Sequence, residues 1–358
     1  MLRKLRYGLI GAGNNAVKKH LSNYAQLSNV DLVAISDINI EQAEKVAEKF
    51  NIGKVYKNYQ DMINEERLDI VSVTTPNSLH AEITIYALRH GVNVHCEKPL
   101  AINSLEAQRI VDAKNASGKL VMVGLNNRFT NAAIYLKNLI DTGYFGSIYK
   151  INTGWVRRSG IPGRGTWFTN KEVAGGGVLI DLGAHYLDLA LYFMGMPEPK
   201  YITGATYQNF AHTTTRNRNG YKGKPNGIFN VEDSATGFLG LENGSTVHFE
   251  FSWASNREEE RTFVEVLGTK GGANLVNGKL KIQSELLDTC VDVIPVLNDN
   301  IKFLSEFEHF IHAIENNKDV LAPAEHGLYL MNIIDTFYQA AESQEPVFFN
   351  KNIVRLLS

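Results

Sequence analysis

The chain predicts an α/β protein of two domains: a parallel, doubly wound domain over residues 1–125, then a larger α/β domain over 126–358 built on a large, mostly antiparallel open sheet. Three observations lead there. At 358 residues the chain exceeds the roughly 100 to 200 residues of a typical domain. Its first third alternates short β-rich runs with helical segments. After about residue 147 the strands lengthen and their periodicity changes.

In the first part, "RYGLIG", "VDLVAIS", "LDIVSVTT", "VNVHC" and "KLVMVG" alternate with segments such as "IEQAEKVAEKF" and "LHAEITIYALRHG". Strands alternating with helices indicate βαβ units and a parallel sheet. In the second part, "STVHFEFSWAS" places Val247, Phe249, Phe251 and Trp253 on one face and Thr246, His248, Glu250 and Ser252 on the other. One buried face and one open face suit an antiparallel sheet covered by helices on one side. Helices are expected over about 178–194, 302–317 and 324–342. The polar stretch 209–233, rich in glycine and asparagine, is long for an ordinary connection; it reads as a lid, an interface arm or a mobile loop.

Composition narrows the function. A formal net charge of −2 shows no bias toward nucleic acid or an anionic membrane. The basic N-terminus lacks the apolar core of a signal peptide, and no run approaches the roughly 18 apolar residues of a membrane span. Only Cys96 and Cys290 are present, too few for a disulfide framework. A cytoplasmic protein with small-molecule partners is expected, with Cys96 a buried thiol.

The first chemical motif is "YGLIGAGNNAVKKHL". Gly11, Gly13 and Ala16 fit GxGxxG/A between a strand and a helix, where glycines permit a tight turn and close backbone approach to a pyrophosphate. Such glycines also recur for packing reasons alone. The next strand ends at Asp37, 37 − 16 = 21 positions past Ala16, where a carboxylate can accept both ribose hydroxyls of an adenosine. A 2′-phosphate would be repelled there, and "SDINIEQ" holds no cation, so NAD is favoured over NADP. The competing role for Asp37 is to cap the following helix, which Asn39 could equally do.

"VNVHCEKPLA" places Lys98 past a later strand of the same sheet, on the edge where open α/β sheets bind ligands. Pro99 keeps the lysine out of the following helix. Alone, a surface lysine before a proline would read the same way, but "TTPNSLH" ends an adjacent strand with a similar polar turn.

The segments "GAGNNA", "TTPNSLHAEITIYALRHGVNVHCEKPLA" and "WFTNKEVAGGGVLIDLGAHYLDLALYFMG" together resemble the glucose-fructose oxidoreductase, inositol dehydrogenase and MocA family over nearly the whole chain. The resemblance implies a Rossmann domain, a C-terminal α/β domain, a nicotinamide cofactor and redox chemistry at a sugar or cyclitol carbon. Candidate cofactor-binding residues are Gly11, Gly13, Asn14, Asn15, Ala16, Asp37, Thr75, Pro76, Asn77, His80, Glu97, Lys98 and Asn126. The family's catalytic lysine falls on Lys98, and its Asp and His on Asp181 and His185, which share a face at helical spacing i, i+4. A secondary alcohol must lose its proton as hydride leaves, which suits histidine as base. Lys98 would stabilise the developing alkoxide and Asp181 would orient the imidazole or hold a neighbouring hydroxyl. No metal is expected.

Candidate substrate contacts are Lys98, Asp181, His185, Arg128, Arg158 and Trp167. Arg157 and Arg158 face opposite ways on a strand, so only one faces the cleft; Arg164 and Lys171 lie nearby. A structured loop at a subunit interface would account for this segment equally. No GK[ST] follows Gly175, Gly176 and Gly177, so they are not a phosphate loop; close backbone packing against cofactor or substrate is expected. The leading function is an NAD-dependent dehydrogenase of a sugar or cyclitol. Alternatives are a glycoside-cleaving relative that retains NAD and a non-catalytic dinucleotide-binding regulator. A homodimer or homotetramer pairing through the C-terminal sheet is expected.

Overall fold

Six short strands, β1 (Leu5–Ile10), β2 (Val30–Ser36), β3 (Lys54–Tyr56), β4 (Ile70–Val73), β5 (Asn93–Cys96) and β6 (Val121–Val123), form a parallel sheet in the order β3-β2-β1-β4-β5-β6. The structure is a computed structural model and describes residues 3–213, 215–217, 223–224, 226–297 and 304–349. The chain divides into two units, Met1–Gly124 with Leu304–Met331, and Leu125–Phe303 with Asn332–Ser358.

In the first unit the strand order reverses between β1 and β4, which makes the carboxyl edge there a ligand-binding crevice. Helices on both faces explain why β4 is buried at every residue and reads as a continuous apolar run. Local sequence sets the helix ends. Asn39 caps helix Ile40–Phe50 by accepting from the Gln42 amide, and Asn103 caps Ser104–Ser117, which stops at Gly118 with φ 64°. Cys96 is fully buried, and burial pushes its thiol up to about 12, so it is an inert core group.

The expected division at 125/126 assigns the whole second part to one domain, whereas Leu304–Met331 groups with the first unit. Helix Glu306–Asn316 starts in a Ser305/Glu308 capping box. Its Phe307 ring packs 5.0 Å from Tyr24 and 5.4 Å from His95. An amphipathic helix carries no local mark of which core its apolar stripe will join.

The second unit is a nine-stranded sheet, β14-β13-β12-β11-β7-β10-β9-β8-β15. Its strands are β7 (Ile148–Val156), β8 (Pro199–Tyr207), β9 (Ser234–Leu241), β10 (Thr246–Ser252), β11 (Arg261–Gly268), β12 (Gly272–Val276), β13 (Lys279–Leu286), β14 (Thr289–Val293) and β15 (Val347–Phe348). Among these strands of the described residues, only β7 and β10 pair in parallel. On β10, Val247, Phe249 and Phe251 are buried and His248 is exposed, as the alternation predicts. Ser252 departs from it, being buried where its hydroxyl accepts the Arg157 amide at 3.3 Å. Phe337, on helix Ala324–Ser343, packs 5.3 Å from Phe249 and covers the apolar face.

The helix expected over 178–194 begins as a wide π-turn, Leu179–Gly183, and continues as α-helix Ala184–Phe193. Asp181 lies in the wide turn, so its spacing to His185 is not that of an ordinary α-helix. Such π-turns are rare and concentrate at functional sites.

Candidate active site

At the carboxyl edge of the parallel sheet, β1 runs into the glycine turn. Gly11 has φ 94°, and a Cβ there would lie 2.9 Å from the Thr74 carbonyl oxygen, so glycine is required by the fold itself. A Cβ at Gly13 would meet nothing within 4 Å; this glycine leaves open space beside an exposed helix start at Asn14 and Asn15, while Ala16 packs inside. Asp37 accepts the Ala12 amide at 2.6 Å and the Asn39 amide at 2.8 Å. Asn39, not Asp37, caps the following helix. The Asp37 carboxylate therefore braces the turn and keeps further lone pairs for a ligand.

The ends of β4 and β5 bring Thr75, Pro76, Asn77, Glu97 and Lys98 to the same edge. The Thr75 Oγ1 is buried with no hydrogen-bond partner among the described residues. The peptide bond between Lys98 and Pro99 is cis. Two of the expected cofactor ligands also bond within the protein. His80 is fully buried, with Nδ1 2.7 Å from the Pro99 carbonyl and Nε2 3.0 Å from the Thr75 carbonyl, so it ties the two turns together. Burial lowers its pKa against the pull of those carbonyls.

Glu97 is also buried, and its Oε1 accepts from Asn15 at 2.9 Å, Lys19 at 3.1 Å and His20 at 2.9 Å. Burial alone would raise its carboxyl, but Lys19, His20 and Lys98 more than offset this and hold it well below the usual range. Lys19 reaches on to Glu306 at 3.2 Å, and Glu306 bonds His95 at 3.0 Å. The carboxylate acceptors assign protons to the ring Nε2 atoms. His20 Nδ1 then accepts from Ser72 and His95 Nδ1 from Tyr24, both at 2.9 Å. Sequence reasoning missed this network. "VKKH" next to the glycine turn was its only local signal, and Glu306 had none.

In the second unit, Asp181 and His185 are half-buried. Asp181 Oδ2 accepts the Trp253 indole N–H at 2.9 Å. The His185 ring lies 6.0 Å from that of Trp155, over which the Arg157 guanidinium stacks at 4.2 Å. The two adjacent arginines do face different surroundings: Arg157 is buried beside Trp155, whereas Arg158 is exposed, with its amide on Glu260 and its carbonyl accepting from Arg216. Arg128, expected as a substrate contact, lies inside the second unit. It is 0 % exposed and grips Asp188 through Nε at 2.9 Å and Nη2 at 2.5 Å, because a fork-shaped cation buried in a core takes a matching carboxylate.

Asn126 opens the short turn Asn126–Phe129, and its Oδ1 is buried with no hydrogen-bond partner among the described residues. Trp167 is half-buried and stacks on Phe168 at 3.8 Å. Arg164 donates to the Ala211 carbonyl, and the Gly160 and Ile161 amides donate to that of Arg216. Described parts of 209–233 thus pack on the 157–165 segment; residues 214, 218–222 and 225 lie outside the described residues. The glycine triplet also has a different cause from the expected one. Gly175 ends helix Lys171–Ala174 at φ 86°, while Gly176 and Gly177 are crowded by Tyr338 and Glu232.

The strand order, the glycine turn braced by a carboxylate and the lysine after β5 on the same sheet edge define a dinucleotide-dependent oxidoreductase. A family model described as "Oxidoreductase family, NAD-binding Rossmann fold" matches residues 5–125, and one described as "GFO/IDH/MocA C-terminal domain" matches 134–274. The chain belongs to this GFO/IDH/MocA oxidoreductase family, and its N-terminal domain is an NAD-binding Rossmann domain. It is 34% identical to a D-glucoside 3-dehydrogenase of Escherichia coli (strain K12), across 95% of this chain and 96% of the relative. An inositol 2-dehydrogenase of Salmonella typhimurium is 33% identical over 44% of this chain and 48% of its own length. A levoglucosan dehydrogenase solved with NADH and levoglucosan shares the fold, with a TM-score of 0.85 at 22% identity over 97% of this chain and 99% of that one.

Proposed function

We propose that the protein is an NAD-dependent dehydrogenase that oxidises a secondary alcohol of a sugar, sugar derivative or cyclitol. The observation that carries this reading is the convergence of the Gly13 turn, Asp37, Thr75 and Lys98 on one sheet edge. The space a Cβ at Gly13 would enter suits a pyrophosphate, Asp37 suits a ribose diol, and the buried Thr75 hydroxyl suits a polar cofactor group. When bound, NAD supplies the acceptor for the hydride. In this reading His185 takes the proton of the substrate hydroxyl, Lys98 stabilises the oxygen as charge develops, and Asp181 orients the imidazole or holds a neighbouring hydroxyl. Asp37 selects NAD over NADP by repelling a 2′-phosphate.

The similarity to a D-glucoside 3-dehydrogenase across 95% of this chain makes glucosides the first substrates to try. The reading includes a cytoplasmic homodimer or homotetramer pairing through the C-terminal sheet. The open sheet supports the pairing.

The test is NADH formation across glucosides, inositols, anhydrosugars and sugar acids. Lys98→Met is expected to lower kcat about 100-fold or more with NAD affinity within a few-fold of wild type. His185→Asn is expected to remove the acidic limb of kcat/KM and to cost roughly 100- to 10,000-fold in rate. An acidic limb that survives in His185→Asn and vanishes in Lys98→Met would assign the proton to the lysine and sink this mechanism.

A further inference from the structure

The glycine triplet leads to a buried carboxylate that the reaction scheme does not use. Glu232 sits at the start of the helical segment carrying Asp181 and His185. Its Oε2 accepts the Gly177 amide at 2.9 Å, its Oε1 accepts the Leu179 amide at 3.0 Å, and its own main-chain carbonyl accepts the Val178 amide at 3.2 Å. Three consecutive amides are thus satisfied by one residue more than fifty positions away in the chain. The first amides of a helix have no partner within it, and an anionic acceptor there also meets the positive end of the helix dipole. The Tyr338 hydroxyl donates to the same Oε1 at 2.8 Å and holds the carboxylate from behind.

The triplet is shaped to this clasp. A Cβ at Gly177 would lie 1.9 Å from the Glu232 carbonyl oxygen, and one at Gly176 would lie 2.2 Å from the Tyr338 hydroxyl. No side chain fits at either position while the clasp is closed. Directly beyond the clasped amides comes the wide turn Leu179–Gly183, with the Asp181 amide bonded to the Gly177 carbonyl at 3.0 Å. Where this turn begins decides which way Asp181 and, four residues on, His185 point. A helix start held by neighbouring peptides alone would be free to rewind into ordinary α geometry and rotate both side chains.

We propose that Glu232, backed by Tyr338, is a positioning residue for the dehydrogenase reaction: it fixes the origin of the wide turn and so the directions of Asp181 and His185. The inference rests on the reading of those two residues as catalytic. Misplacement of a reacting group by about 1 Å costs on the order of 100-fold in rate, which sets the scale of the test.

Glu232→Gln preserves size but turns an amide NH2 toward one of the two backbone donors, so one bond of the clasp is lost. In the full-length enzyme, kcat per NADH-binding site is expected to fall about 10- to 100-fold. NADH affinity should stay within about two-fold, because neither Asp181 nor His185 is a cofactor ligand, and any rise in KM for the sugar should be smaller than the fall in kcat. Loss of folded enzyme alone would leave kcat per site unchanged. A folded Glu232→Gln protein with kcat within about two-fold of wild type overturns the proposal. Should that variant fail to fold, Tyr338→Phe decides: it removes one bond and spares both clasped amides. A two- to five-fold drop in kcat with a smaller change in KM supports the role, and wild-type kcat overturns it. His185→Asn run in parallel separates the two claims. If it keeps its activity, the catalytic reading falls and takes the positioning role with it; if it is inactive while the Glu232 and Tyr338 variants are unaffected, only the positioning role falls.

Discussion

Replacing Asp188 with Asn tests whether Arg128 is structural. The guanidinium makes two bonds to the Asp188 carboxylate, lies 4.6 Å over the Tyr192 ring, and shares with its partner an exposure of 0 and 1 %. Removing the carboxylate charge leaves a cation in a site that water does not reach. Breaking one side of a buried pair costs about 3 to 5 kcal/mol. For a domain of this size each kcal/mol moves Tm by about 2 to 4 °C, so a loss of about 6 to 20 °C is expected by calorimetry. Arg128→Met with Asp188→Leu removes both charges and refills the space with apolar side chains, which is often neutral or stabilising. The double variant should therefore recover most of the lost Tm and retain KM for the sugar. A single Asp188→Asn variant with Tm within about 2 °C of wild type would refute the burial argument. A double variant with restored Tm but KM raised more than about ten-fold would return Arg128 to the substrate site.

The two glycines of the nucleotide turn should behave oppositely: Gly11→Ala strains a positive φ against the Thr74 carbonyl and should lose about 1 to 3 kcal/mol of stability, whereas Gly13→Ala should fold normally and weaken NADH binding about ten-fold or more. Wild-type NADH affinity in Gly13→Ala would remove the pyrophosphate from that space. Asp37→Ser with Ile38→Arg should shift preference from NAD toward NADP, since Ile38 is 86 % exposed and an arginine there is accommodated; unchanged relative affinities in titrations of both cofactors would rule out Asp37 as the ribose ligand. Burial holds the His20 ring down to about 4 against the pull of Glu97, so the unfolded chain binds this proton first, and stability present above about pH 6.5 is lost as pH falls toward 4. His20→Gln should flatten that part of the acid side of a stability-against-pH curve; an unaltered slope from pH 6.5 to 4 would show that His20 titrates normally.

Much of the fold and part of the site were legible in the amino-acid order because their causes are local. Period-two and period-3.6 patterns follow from which face of a strand or helix is buried. The Gly11 turn follows from a backbone conformation that other residues resist. Asn39, Asn103 and Ser305 cap helices with side chains acting three positions away. The alternation of strands and helices, the carboxylate after β2 and the lysine after β5 all lie within single βα units, so the sheet edge that binds the dinucleotide could be located by reading along the chain.

What the chain order left open was the choice of partners across long separations, which only packing decides. Arg157 and Arg158 are adjacent and chemically identical, and it is the course of the chain after β7 that buries one against Trp155 and exposes the other. Arg128 and Glu97 read as ligand contacts because a charge in a polar turn normally meets solvent or substrate. In the folded chain Asp188, Lys19 and His20 reach them first, since a buried charge must be matched within hydrogen-bonding distance. The glycine triplet signalled close approach, but only the tertiary structure shows that Glu232 and Tyr338 are what approaches. Leu304–Met331 joins the first unit for the same reason: an amphipathic helix specifies that one face must be covered, and the identity of the cover is settled by which apolar surface the rest of the chain leaves within reach.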